Sequence, residues 1–236
     1  MAIDEAIASA VCAGLKPPTL RLYAWNTASV SIGVFQSIND IDWSYCTAHH
    51  IPVVRRPTGG RGILHGDELT YSFSAPAGYS PFGTTLREAY QALSRAFCEA
   101  FLQMGLTVRA QDRTANKQHL LGSPLCFQSV SYGECTVAGL KIIGSAQKRW
   151  HNGFLQQGSI PFSFDHERVQ AIFRKQLDTL HAGGLRALVD NFKSELFQAL
   201  LISAFEETFM IRFAEAPLSL KESEHARFLA EKKYRS

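Results

Sequence analysis

Residues 53–75, VVRRPTGGRGILHGDELTYSFSA, set a run rich in glycine and arginine between two apolar flanks. VVRR (53–56) and LTYSFSA (69–75) have the β-branched and aromatic content of strands, and Pro57, Gly59, Gly60 and Gly62 punctuate the chain between them. Glycine at 59, 60 and 62 lets a ligand approach the backbone and lets amide N–H groups turn inward. Arg55, Arg56 and Arg61 add cationic forks suited to a phosphate or a carboxylate. A Walker loop is excluded because no Lys-Ser/Thr follows, and the GxGxxG dinucleotide pattern because His65 stands where the third glycine belongs. On these residues alone, a loop for an anion or polar ligand and a plain strand–turn–strand with exposed arginines are equally open.

Toward the N-terminus, residues 1–13 have helical composition and stop at Gly14, with Pro17 and Pro18 beyond. LRLYAW (20–25) and SVSIGVF (29–35) predict strands joined through Asn26-Thr27, and DIDWSYCTAHH (40–50) a short helix halted before Pro52. Toward the C-terminus, Leu86, Tyr90, Leu93, Phe97, Phe101 and Met104 recur at spacings of three and four. They predict a helix over 84–104, capped by Thr84 or Thr85 and ended by Gly105. Further helices are expected at 165–179, 190–207 and 219–233. YGECTVAGLKIIGSA (132–146) predicts a hairpin turning at Ala138-Gly139, which pairs Thr136 with Lys141 and Cys135 with Ile142. Cys135 and Lys141 then point to opposite faces. Strands and helices mix without βαβα alternation, which predicts an α+β fold over a doubly wound sheet.

The 236 residues suffice for one large domain or two small ones, and 46% apolar content suffices for a sizeable core. A net charge of +3 with no long lysine/arginine run does not call for nucleic acid. No apolar stretch reaches membrane-spanning length, and no basic head precedes an apolar run at the start. The cysteines at 12, 46, 98, 126 and 135 form no CxxC pair, so neither a disulfide framework nor a zinc site is favoured. The expectation is a reduced, soluble, cytoplasmic protein without membrane or nucleic-acid partners.

The segment 125–150, LCFQSVSYGECTVAGLKIIGSAQKRW, holds Cys126, Cys135 and Lys141. A free thiol is only a few per cent ionised near neutrality, and a neighbouring ammonium raises that fraction. The same ammonium can donate to an acyl carbonyl and stabilise a developing oxyanion. If Cys126 folds back over the face of Lys141, the pair suits acyl transfer through a thioester. A buried thiol acting as a small hydrophobe and a solvated lysine are the bland alternatives.

Taken in order, MAIDEAI, LRLYAWNTASVSIGVFQ, VVRRPTGGRGILHGDELTYS, SPLCFQSVSYGECTVAGLKIIGSAQKR and FLQQGSI resemble the lipoate–biotin ligase superfamily, most of all its cysteine-dependent octanoyltransferase branch, and are also similar to lipoate–protein ligase A. The resemblance covers residues 1 to about 162. It implies one catalytic domain over 1–236 with a helical part from about 163, built on a mixed, mainly antiparallel central sheet flanked by helices. It implies an acyl pocket formed by Arg55, Arg56, Gly59, Gly60, Arg61 and His65 with Gly144, Ser145, Ala146 and Gln147. Cys126 would be the nucleophile and Lys141 its activating cation. Octanoyl-acyl carrier protein would be the donor, a lysine of a lipoyl domain or of glycine-cleavage H protein the acceptor, and no cofactor would be required. The alternatives are an ATP- and Mg-using lipoate–protein ligase and a non-catalytic lipoyl-domain-binding relative. Three departures stand out. His-Asp of the family is His65-Gly66 here, with Asp67 one place later. The histidine of its Leu-Gln-His-Gly is Gln157, and relatives carry about a strand's worth of chain before MAIDEAI.

Overall fold

The computed structural model describes residues 1–110, 135–174 and 182–234, with the backbone alone at residues 109, 110 and 135. In chain order the elements begin with α1 (Ala2–Cys12), β1 (Thr19–Tyr23), β2 (Ser29–Ile32), α2 (Trp43–Ala48), β3 (Val53–Arg55), β4 (Ile63–His65) and β5 (Glu68–Pro76). There follow α3 (Leu86–Gln103), β6 (Val108–Ala110), β7 (Cys135–Val137), β8 (Leu140–Lys141), β9 (Gly144–Trp150) and β10 (Gly153–Pro161). Helices α4 (His166–Phe173), α5 (Ser194–Phe209) and α6 (Leu220–Lys232) follow among the described residues, with short 3-10 turns at Ile38–Asp40 and Leu185–Ala187.

The expected α+β class holds, and the sheet is divided into three. Strands β1-β5-β10-β9 form an antiparallel sheet of four. Strands β3-β2-β4 form a mixed sheet, with β2 parallel to β3 and antiparallel to β4. Strands β6-β7-β8 form a third, antiparallel one. The local signals act as chemistry dictates. Helix α1 gives way to Gly14 at φ +71° and α3 to Gly105 at φ +78°. Thr85 caps α3 through a reciprocal pair, its hydroxyl accepting from Glu88 N while the Glu88 carboxylate accepts from Thr85 N at 2.8 Å. Ala138 and Gly139 both have positive φ (49° and 79°), as a two-residue hairpin turn requires, and Thr136 pairs with Lys141 in the expected register.

Three expectations are corrected. The hairpin strand does not run on to residue 146: β8 stops at Lys141, and after Ile142 and Ile143 the chain enters the four-stranded sheet as β9. Both isoleucines are buried, so the crossing between sheets is itself core. The buried stripe of α3 is Ala89, Ala92, Leu93, Ala96, Phe97, Ala100 and Phe101, while Leu86 is half exposed; small alanines let α3 lie close to its neighbours. Finally, α4 ends at Phe173, with Arg174 left-handed at φ 48°. Of the described cysteines, Cys12 and Cys46 are free, whereas Cys98 is disulfide-bonded, a bridge that the cysteine spacing did not signal.

Two cores result. Phe73, Phe82, Phe97, Phe101, Phe154 and Phe205 fill the space between the four-stranded sheet and the helices α3 and α5. Val30, Ile32, Ile41, Cys46, Ile172 and Phe173 join the mixed sheet to α2 and α4. Strand β5 is buried on both faces. Leu69, Tyr71, Phe73 and Ala75 point into the first core, while Glu68, Thr70, Ser72 and Ser74, also buried, point to the side covered in part by α1. That second, polar face holds the candidate site's supporting structure.

Candidate active site

The glycine-rich loop between β3 and β4 is shaped by a buried arginine. Arg56 is 3% exposed; its Nε and Nη2 donate to Gly59 O at 3.1 and 2.7 Å, and Nη2 also to Arg61 O at 2.8 Å. Gly60 sits at φ +82°, and a methyl placed on it would come within 2.8 Å of Arg56 Nη2 and 3.4 Å of the Ala146 Cβ. A methyl on Gly33 would fall 2.0 Å from Gly60 O, and one on Gly62 would strike the Phe173 ring. A methyl on Gly59 would meet nothing within 4 Å among the described residues. Three of these glycines are therefore there for close approach, and Gly59 borders open space.

Arg55 is committed differently. Its Nη1 donates to the carbonyls of Gly33, Val34 and Gln36 and fixes the bend after β2. Thr58, fully buried, donates to Gln157 Oε1 at 3.1 Å, and Gln157 Nε2 donates to Asp4 Oδ2 at 2.7 Å. The position where the family's histidine is replaced thus ties the loop to α1. Asp4 also accepts from Arg21, Tyr23 and Ser72. Burial pushes its carboxyl up, yet the Met1 ammonium, Arg21 and the donors from Gln157 and Tyr23 outweigh burial and hold it below the ordinary value.

His65, expected to line the pocket, is 3% exposed, with Nε2 2.7 Å from Ser31 Oγ and Nδ1 2.7 Å from Glu68 Oε1. Trp25 stacks on its ring at 4.3 Å. The carboxylate that meets His65 is Glu68, while Asp67, one place after Gly66, pairs with Arg186 at the surface. Of the 144–147 group, Ala146 faces Gly60. Ser145 Oγ lies 2.8 Å from Tyr71 Oη, and Gln147 donates to Gln156. Gly144 closes on Gly158, where a side chain would strike Tyr71 and Gly144 O. Lys141 is 1% exposed and also bridges to Ala182, so its ammonium sits where charge is felt far more strongly than in water. Cys126 lies outside the described residues, as does the side chain of Cys135 and with it the opposite-face reading. No group of three or more metal-binding side chains occurs among the described residues, and no helix of the described chain is long and apolar enough to cross a membrane.

Sequence reasoning missed Ser31, Thr58, Glu68 and Asp4. Only Glu68 had a signal, in the alternation of Glu68, Thr70, Ser72 and Ser74, which by itself resembles an ordinary solvent face.

An α+β domain with a buried lysine and a clamped glycine loop is of the lipoyl protein ligase kind. Residues 1–214 match the model of the lipoyl protein ligase A/B catalytic domain. The Octanoyltransferase LipM of Exiguobacterium sp. strain AT1b is 37% identical over 252 aligned residues, spanning 100% of this chain and 91% of that one. The LipM of Carboxydothermus hydrogenoformans is 33% identical, spanning 99% and 90%. Among solved structures, a lipoate-protein ligase A bound with ATP superposes with TM-score 0.85 at 24% identity, covering 100% of this chain and 90% of that one. Ta0514, a putative lipoate protein ligase from T. acidophilum, superposes with TM-score 0.82 at 25% identity and the same coverage. The chain belongs to the lipoyl protein ligase A/B catalytic-domain family and is an enzyme of the transferase class.

Proposed function

We propose that the enzyme is an octanoyltransferase of lipoate biosynthesis. The observation that carries this reading is the full-length similarity to relatives named Octanoyltransferase LipM, at 33–37% identity over 90% or more of both chains for the two described above. The Cys126 thiolate attacks the carbonyl of octanoyl-acyl carrier protein; the carbon–sulfur bond to the carrier breaks, and the carrier thiolate leaves and takes up a proton. The amine of an acceptor lysine, on a lipoyl domain or glycine-cleavage H protein, then attacks the enzyme thioester, forms the amide and releases Cys126. Both steps start from a thioester, so no nucleotide is consumed. Lys141 stabilises the thiolate and the oxyanion of each tetrahedral intermediate. Gly60, against Ala146, gives the acyl chain a wall of backbone where a side chain would intrude.

Intact-mass spectrometry after incubation with octanoyl-carrier protein, without ATP, tests this. The expected result is a base-labile gain of one octanoyl group, lost in Cys126→Ser and kept in Cys135→Ser. Acylation of a lipoyl domain that requires ATP and free acid, with no enzyme adduct, would establish the ligase chemistry instead.

A further inference from the structure

Four buried side chains from different strands stand in series behind the glycine loop. Glu68 on β5 is 4% exposed, His65 on β4 3%, Ser31 on β2 0%, and Arg56, just beyond β3, 3%. A carboxylate only accepts, so His65 Nδ1 carries the proton and donates to Glu68 Oε1 at 2.7 Å. With His65 as the neutral tautomer protonated at Nδ1, Nε2 accepts and Ser31 Oγ–H donates to it at 2.7 Å. The Ser31 oxygen in turn accepts from Arg56 Nη1 at 3.2 Å, which also reaches Ser31 O. The series therefore runs one way, from Arg56 through Ser31 and His65 to Glu68. Glu68 is fixed by the hydroxyls of Ser159 (2.6 Å) and Thr70, and Thr70 receives the Trp25 indole N–H at 2.8 Å.

We propose that Glu68, His65 and Ser31 are positioning residues for acyl transfer: they orient Arg56, and through it the carbonyls of Gly59 and Arg61, so that the glycine loop is preformed as a pocket wall. This deepens the octanoyltransferase reading and rests on it for the word acyl, whereas the relay itself rests on geometry. The same order of groups, Ser–His–Glu, also describes a nucleophilic triad. Here it is no triad, because Ser31 is wholly buried and its oxygen already accepts from a guanidinium.

Glu68→Gln supplies the test. An amide has one acceptor oxygen and points an NH2 into a site where three donors converge. That NH2 must displace a donor at Ser159 or at His65, so Glu68's fixed contacts cannot all survive; facing His65, it reverses the tautomer and turns Nε2–H onto a serine oxygen that Arg56 already occupies. Hydrogen exchange of residues 56–62 is expected to rise about tenfold, with the β5 and β10 amides unchanged. Ser31→Ala, which deletes a single oxygen, should give the same loop signature, and the double variant should add nothing to either single one. In octanoyl transfer, KM for the donor should rise with kcat near wild type. Equal acceleration of loop and sheet amides, an unchanged loop, or additive effects would overturn the relay. So would labelling of Ser31 by a fluorophosphonate. Absence of octanoyl transfer in the wild-type protein would count against the activity alone, since exchange still decides the relay.

Discussion

Gly60 and Gly59 are neighbours with opposite tolerances. At Gly60 any side chain meets both a left-handed backbone and the Arg56 guanidinium, while at Gly59 there is room. Gly60→Ala should lower stability by about 1–2 kcal/mol from backbone strain and reduce octanoyl transfer per folded molecule. Gly59→Ala should stay within about 0.5 kcal/mol of wild type; urea unfolding and transfer assays on the same samples separate the two. Asp4 gives a pH prediction. Its folded-state pKa lies below the unfolded value, so its stabilising contribution is complete above about pH 4 and disappears as pH falls through the folded value. Asp4→Asn should lose stability at neutral pH and show a flatter acid limb than wild type in melting scans from pH 6 down to pH 3. A steeper acid limb in Asp4→Asn would contradict the assignment. The sequence singled out Gly60 for close approach but not the guanidinium it meets, and it did not single out Asp4 at all. A glycine's φ and an aspartate's burial depend on what tertiary structure brings against them, here Arg56 and Gln157.

Among the elements, those with local stop signals were legible: α1, α3 and the Ala138-Gly139 turn carry their caps and positive-φ residues in the sequence. Strand β4 was not, because Ile63, Leu64 and His65 are too few to show a period of two. The end of β8 was also hidden, since KIIGSA is equally apolar on both sides of the crossing. Helix α6 was foreseen, but not its fastening. Lys233 and Tyr234, just past its end, both reach Glu5 of α1, Lys233 at 2.6 Å. Burial pushes the Glu5 carboxyl up, and the hydrogen bonds from Lys233 and Tyr234 pull it below its ordinary value. A cleft of about 270 Å³, walled in part by Cys12, Trp150, Asn152 and His225, lies under the helix and shares no wall residue with the glycine loop. Glu5→Gln should loosen α6 selectively. Trypsin should cut at Lys221 or Arg227 several-fold faster, while the melting temperature moves by only a few degrees. Unchanged cutting would show that Ala226 and its packing suffice to hold the helix.

For the whole molecule, the resemblance of five short pieces predicted the family, and the matched catalytic domain bears it out. Composition alone reached no further than one large globular domain or two small ones, and the α+β class came from the order of the elements. The three-way division of the strands has a consequence for how the protein lives with its substrate. Gly60 follows a strand of the mixed sheet, Lys141 belongs to the β6-β7-β8 sheet and Ala146 to the sheet of four. An octanoyl group lying among them would belong to no single ladder and would tie all three together. Its binding free energy would then be available against unfolding, adding about 2.7 kcal/mol at a hundredfold excess over Kd. On that account the proposed acyl donor would also be a tenant that keeps the building standing: a cell short of octanoyl groups would hold the enzyme in its most perishable form, and supply would set not only its turnover but how long each copy survives.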